Sequence, residues 1–175
     1  MKPAIFAVLG LLMLTPPNIA NAGKVRQNML TLGSRPPDFT VTEEGTISPG
    51  RDHPQILSLH HFLHRKRIAV VFSPTKASLD QIASKGYDER DLVIIAVLPP
   101  KGPLWAETTP PLYILTDESG SLKHVYRAAP GLTTFYLIGK DGTIKMARHE
   151  FPSNKELFAV IDAMPMRQEE MKRRK

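Results

Sequence analysis

The chain of 175 residues carries Lys+Arg 23 against Asp+Glu 17, a net charge of +6, and contains no cysteine. The absent thiols exclude disulfides, thiol catalysis and thiolate metal sites together. The length suits one domain with a real core.

The first residues, MKPAIFAVLGLLMLTPPNIANAGK, place Lys2 before an apolar run from Ala4 to Leu14. Pro16-Pro17 and then Ala20-Asn21-Ala22 follow, so a positive end, an apolar centre and a small-x-small site stand in secretory order. The run is shorter than the roughly 20 apolar residues that span a bilayer. Residues 1–22 are expected to be a signal peptide cut near Ala22-Gly23. The mature chain is then secreted or periplasmic, and no later stretch is apolar enough to span a membrane. Losing Lys2 takes the charge from +6 to +5. Arg65-Lys66-Arg67 and Lys172-Arg173-Arg174-Lys175 hold much of the basic excess. Such runs suit anionic polymers or membrane surfaces, or are plain solvated surface and a basic tail.

Residues 23–56 read as a polar, irregular segment with room for one short hairpin, and residues 57–175 as the folded domain. Ile68 to Phe72 is apolar, β-branched and unalternating, as in a strand buried on both faces. Pro74 opens a turn, and Ala77 to Lys85 predicts a short helix ended by Gly86. Asp91 to Leu98 (DLVIIAVL) predicts a second buried strand, so the pair forms a βαβ unit. Pro99 to Pro111 holds five prolines and reads as an extended loop, with Trp105 as its anchor. Tyr113 to Leu115 reads as a short strand and Glu118 to Arg127 as a helix. Thr133 to Ile138 and Thr143 to Ala147 flank Gly139-Lys-Asp-Gly142, a hairpin cue because Gly142 tolerates positive φ. Ser153-Asn-Lys-Glu156 is a capping box before the apolar face of Leu157, Phe158, Val160 and Ile161. Pro165 interrupts this helix, Met166 to Arg174 is expected to form a second, more polar helix, and the kink at Pro165 is expected to turn Met166 to Met171 across the surface. Met164, Met166 and Met171 would fill its grooves, and Arg167 would reach Asp91 or Asp162.

This order of elements is that of a thioredoxin-like domain, and YILTDESGSLKHVYRAAPGLTTFYLIGKDGTI (Tyr113 to Ile144) resembles the second half of a peroxiredoxin-type domain. DERDLVII, FYLIGKDGTIK and LFAVIDAMPMRQEEM resemble an exported bacterial domain-of-unknown-function family (DUF4174). That family is similar to the C-terminal domain of sushi-repeat-containing proteins and to the repeated domain of a coiled-coil-domain-containing matrix protein. The resemblance spans about Leu57 to Arg174. It implies an α/β, peroxiredoxin-related domain with a mixed sheet flanked by helices, and no established reaction.

The resemblance also locates where chemistry would lie. After the first core strand a peroxiredoxin places Pro, then Thr or Ser four residues on, then the reactive Cys three further. From Pro74 this counts to Ser78 and then Gln81, a carboxamide that cannot become a thiolate. Ser78 would need an adjacent base. The position of the thioredoxin cis-proline falls on Leu132, with Pro130 two residues early. No redox centre and no cofactor are expected.

Two other groups are candidates. His60, His61 and His64 are weak metal ligands: His60 and His64 would share a face if the segment were helical, but no acidic ligand has motif spacing. Arg90, Lys140, Asp141 and Arg167 are binding candidates for an anionic partner. The structural alternative is that they form ion pairs at the sheet end and the hairpin tip. The expected function is an exported non-redox domain that binds an unidentified macromolecule of the cell envelope, not nucleic acid. A peroxiredoxin-superfamily oxidoreductase and a periplasmic metal-binding protein are the alternatives.

Overall fold

The computed structural model describes residues 29–42, 56–82, 86–100 and 112–174. The expected signal peptide, residues 43–55, the end of the helix expected at Ala77 to Lys85 and most of the proline-rich loop with Trp105 lie outside the described residues.

A small antiparallel pair, β1 (Thr40–Thr42) with β2 (Ile56–Ser58), precedes the main sheet, where a short hairpin was expected. β2 runs into a single helical turn, α1 (Leu59–Phe62). The main sheet is built from β3 (Arg67–Phe72), β4 (Leu92–Leu98), β5 (Leu112–Thr116), β6 (Thr134–Ile138) and β7 (Ile144–Arg148). Their order across the sheet is β5-β4-β3-β6-β7. β3 and β4 pair in parallel, Ile68 opposite Val93 and Phe72 opposite Val97, as the two unalternating runs predict. β5 is parallel to β4, while β6 is antiparallel to both β3 and β7, so the sheet is mixed.

Every residue of β3, β4 and β6 is buried because both faces of the sheet are covered. On one face Ile68, Val70, Val93, Ile95 and Tyr136 pack with Phe39, Phe62 and Tyr126. On the other, Ala69, Val71, Ile94, Phe135 and Leu137 pack with Tyr87, Leu157 and Ile161. Each such aliphatic or aromatic side chain contributes about 1.5–3 kcal/mol on full burial. The alternation that a strand needs is present, but apolar residues occupy both of its phases.

The helices are shorter than the sequence suggests. α2 (Lys76–Asp80) begins one residue early because the Thr75 hydroxyl accepts from the Ser78 amide and caps it. Gly86 opens α3 (Gly86–Glu89) instead of ending the preceding helix. Glycine stands there because a Cβ would lie 2.6 Å from the Phe158 ring. α4 (Ser121–Val125) covers only the centre of its expected span, and buried Asp117 caps it by accepting from the Leu122 and Lys123 amides. The capping box forms as expected at α5 (Asn154–Asp162). The second helix expected after Pro165 forms, as a separate element and not as the bent end of the first. α5 stops at Asp162, and Pro165 is the first residue of a separate α6 (Pro165–Arg173), where its missing N–H costs nothing. No described helix is long and apolar enough to cross a membrane.

Candidate functional site

The sheet has two chemically different ends. At the amino ends of β3 and β4 lies a network of charges, and at their carboxyl ends a turn of hydroxyls.

Arg67 opens β3 and is only 1% exposed. Its backbone amide donates to Asp91 O at 2.8 Å, and its Nη1 donates to Arg90 O at 2.8 Å. Its two terminal nitrogens also reach Glu170 on α6, Nη1 to Oε2 and Nη2 to Oε1, each at 3.2 Å. Lys140, from the β6–β7 turn, bridges Glu170 Oε1 at 2.7 Å and Asp91 Oδ2 at 2.9 Å. Lys66 approaches the other Asp91 oxygen at 3.4 Å. Asp91 itself holds φ +48, a left-handed conformation that Asp tolerates better than most residues. A second carboxylate, Asp162 at the end of α5, takes Arg90 at 2.5 Å and Arg167 at 3.3 Å. The Arg90 guanidinium also stacks 4.2 Å over Phe158.

Burial alone would raise the pKa of Asp91, Asp162 and Glu170. For each, the hydrogen bonds and charges of its cations outweigh burial and hold it below its ordinary value: Lys140 and Lys66 for Asp91, Arg90 and Arg167 for Asp162, Lys140 and Arg67 for Glu170. Three of the four binding candidates, Arg90, Lys140 and Arg167, thus meet in one network. Asp141 does not join it. It accepts from the Thr143 amide at 3.1 Å and from Lys145 at 2.6 Å, and so shapes the hairpin tip. Arg167 pairs with Asp162, one of its two expected partners. Arg67 and Glu170, the centre of the network, escaped the sequence reading. The available signal was a basic residue opening an otherwise apolar strand that is buried on both faces.

The expected methionine contacts are only partly present. Met164 is buried, but Met166 is 47% exposed, so α6 is held mainly by charge.

The histidines are separated by the end of α1 at Phe62. Leu63 is extended and His64 has φ +66, so His60 and His64 share no helical face. His60 Nε2 lies 3.3 Å from Asp38 Oδ2, both well exposed. Among the described residues no three His, Asp or Glu side chains gather as a metal site would require.

At the other end, β3 runs into Ser73, whose φ of +49 is strained for a non-glycine residue. Thr133 Oγ1 donates to Ser73 O at 3.0 Å, and the Ser73 amide donates to Val97 O. Thr75 Oγ1 and Ser78 Oγ lie 2.8 Å apart. Gln81 is exposed at the end of α2, and Leu132 is exposed beside Thr133. In open α/β sheets ligands bind outside the carboxyl ends of the strands, so this is where the fold offers a site. The partners of these hydroxyls are hydroxyls and backbone groups. None is a base that could activate a serine.

A family comparison matches residues 58–170 to "Domain of unknown function (DUF4174)". The chain belongs to the DUF4174 family. The match takes in both ends of the sheet and the first two thirds of α6, through Glu170. No curated protein matches this DUF4174 chain. Among solved structures it is similar to a 2-Cys peroxiredoxin from Plasmodium vivax, with 18% identity over 79% of this chain and 98% of that one, at a TM-score of 0.57. It is also similar to AhpC from Mycobacterium bovis, with 16% identity over 77% and 92% and a TM-score of 0.55. A hypothetical protein from Sinorhizobium meliloti 1021 is 20% identical over 78% and 85%, with a TM-score of 0.57. These likenesses establish a thioredoxin-like, peroxiredoxin-type fold for this member of DUF4174.

Proposed function

We propose that this DUF4174 domain is exported and binds a macromolecular partner in the cell envelope without performing redox chemistry. The observation that carries this reading is the turn after β3. Where the resemblance to peroxiredoxins puts a thiol, the chain has Ser73-Pro-Thr-Lys-Ala-Ser78 and then Gln81, and it has no cysteine anywhere. The Thr75 and Ser78 hydroxyls are tied to each other and the Thr133 hydroxyl to the Ser73 carbonyl, with no base to activate any of them, which suits hydrogen bonding to a partner and not nucleophilic attack. Exposed Leu132 next to Thr133 adds apolar surface to the same end. The leader-like residues 1–22 support export, and the likeness to sushi-repeat and matrix-protein domains that the sequence resemblance implies favours a binding role.

Three measurements test it. N-terminal sequencing of the protein from fractionated cells is expected to begin near Gly23. Purified mature chain is expected to show no turnover of hydrogen peroxide or of a disulfide substrate, and turnover of either overturns the non-redox reading. Photo-cross-linkers placed in living cells at Thr75 and Leu132 are expected to give a discrete adduct that cross-linkers at Lys155 do not. The same pattern from all three positions would refute a binding role for the carboxyl end.

A further inference from the structure

The two basic runs of the sequence, residues 65–67 and 172–174, lie more than a hundred residues apart, yet the fold brings them together. Glu170 on α6 pairs with Arg67, Arg174 Nη1 donates to Glu89 O at 3.1 Å, and Lys66 reaches Asp91 in the same short turn. Half-buried Asp91, Asp162 and Glu170 offset three of the four inner cations, Arg67, Arg90, Lys140 and Arg167, and the exposed groups add to the remaining positive charge. On the surface of this end stand Arg65, Lys66, Lys172, Arg173 and Arg174 against Asp88, Glu89 and Glu169. Counting buried and exposed groups together, this end holds nine described Lys and Arg against six Asp and Glu. The rest of the described chain holds seven against seven. The positive excess of the described domain is therefore confined to one end of the sheet.

We infer that this end is a docking surface for an anionic phospholipid bilayer. The cations are spread over the α1–β3 turn and α6 and do not converge on one point, which suits a surface of many phosphates better than a discrete anion. Met166, on the same helix as Lys172 and Arg173, is 47% exposed. A bilayer offers an apolar layer beneath its phosphates, whereas a soluble polyanion offers charge alone. Docked this way, the domain turns the carboxyl ends of β3 and β4, with Ser73 and Leu132, away from the membrane. This surface is independent of the binding role proposed above, which concerns the opposite end.

The test is co-sedimentation of the mature full-length chain with phosphatidylglycerol/phosphatidylcholine vesicles and with pure phosphatidylcholine vesicles, at low and high salt. Binding is expected to anionic vesicles only, and to fall with salt. Lys172→Glu with Arg173→Glu is expected to weaken it at least about tenfold, since each cation near an anionic surface contributes on the order of a fivefold factor. Lys76→Glu with Lys123→Glu, far from this end, is expected to leave it unchanged. Thermal melts of both variants verify folding; Lys172, Arg173 and Lys76 are exposed and Lys123 is half-buried. Met166→Ser is expected to reduce vesicle binding while leaving retention on dextran sulfate intact. Absence of vesicle binding, equal binding to neutral vesicles, or equal loss in both charge-reversal variants overturns the proposal. Retention on dextran sulfate without vesicle binding overturns it in favour of a soluble polyanion. Failure here leaves the cross-linking test of the opposite end untouched.

Discussion

Arg67 and Glu170, separated by 103 residues, meet in a two-point ion pair with both N–O distances at 3.2 Å. The guanidinium is 1% exposed and the carboxylate 21% exposed. Removing Glu170 leaves a buried cation without its counter-charge. Glu170→Ala is expected to destabilise the domain by about 3 kcal/mol, the low end for a broken buried pair because the carboxylate is partly solvated. Replacing both, Arg67→Met with Glu170→Leu, is expected to cost less than the single change. Urea midpoints of the three proteins decide it, and a double variant weaker than Glu170→Ala would refute this account.

Truncation after Pro165 removes Glu170 together with Arg167 and strips Arg67, Lys140 and Asp162 of partners. At about 2–4 °C per kcal/mol for a chain of this size, a loss of about 3 kcal/mol lowers Tm by roughly 6–12 °C. A Tm equal to that of the full chain means that α6 does not hold the domain.

Acid should loosen the same network. Asp91, Asp162 and Glu170 have folded pKa values below their ordinary 3.8, 3.8 and 4.5. A depressed carboxylate contributes stability that is present above its unfolded pKa and is lost as pH falls through the folded one. Stability is therefore expected to be level above about pH 5 and to drop below about pH 4.5. Glu170→Gln should make that drop shallower, and an equally steep acid limb in the variant would contradict this.

The alkaline limb has a different origin. Tyr87 is pushed up to about 12 by burial, and its hydroxyl donates to Asn154 Oδ1 at 2.6 Å. The folded state thus holds the proton more tightly than the unfolded state, whose phenol titrates near 10. The stability from this group is complete below about pH 10 and is lost as pH rises toward 12. Tyr87→Phe is expected to flatten the alkaline limb while costing about 1 kcal/mol at neutral pH through the lost hydrogen bond. Unfolding followed from pH 8 to pH 12 in both proteins provides the check.

Gly86 sets helix propensity against packing. Alanine in a helix gains about 1 kcal/mol over glycine, but its Cβ would lie 2.6 and 2.8 Å from two Phe158 ring atoms. Overpacking of this kind costs about 1–3 kcal/mol, so Gly86→Ala is expected to be net destabilising. Adding Phe158→Leu should recover part of the loss, and a stabilised Gly86→Ala would show that the ring moves freely aside.

Much of the fold is legible in the chain because it is local. Ile68–Phe72 and Leu92–Leu98 are apolar at every position, and only a strand covered on both faces needs that. The Gly139–Gly142 turn and the Ser153–Glu156 box each complete their hydrogen bonds within a few residues. The candidate site was legible only in part. Arg90, Lys140 and Arg167 belong together, whereas Asp141 serves the turn it sits in and the histidines are parted by the end of α1. Nothing local distinguishes these cases, since each charge has acidic or basic neighbours in sequence.

By itself the sequence determined the sheet's central strands, the caps, the hairpin and the absence of thiol chemistry, because each depends on residue type and near neighbours. Tertiary structure decided the rest. Position 86 takes glycine because Phe158 leaves no room for a Cβ. Arg67 is a buried anchor and not part of a solvated basic run, because Glu170, Lys140 and Asp91 converge on the end of its strand. Charges act through space, and only the folded chain says which of them are neighbours.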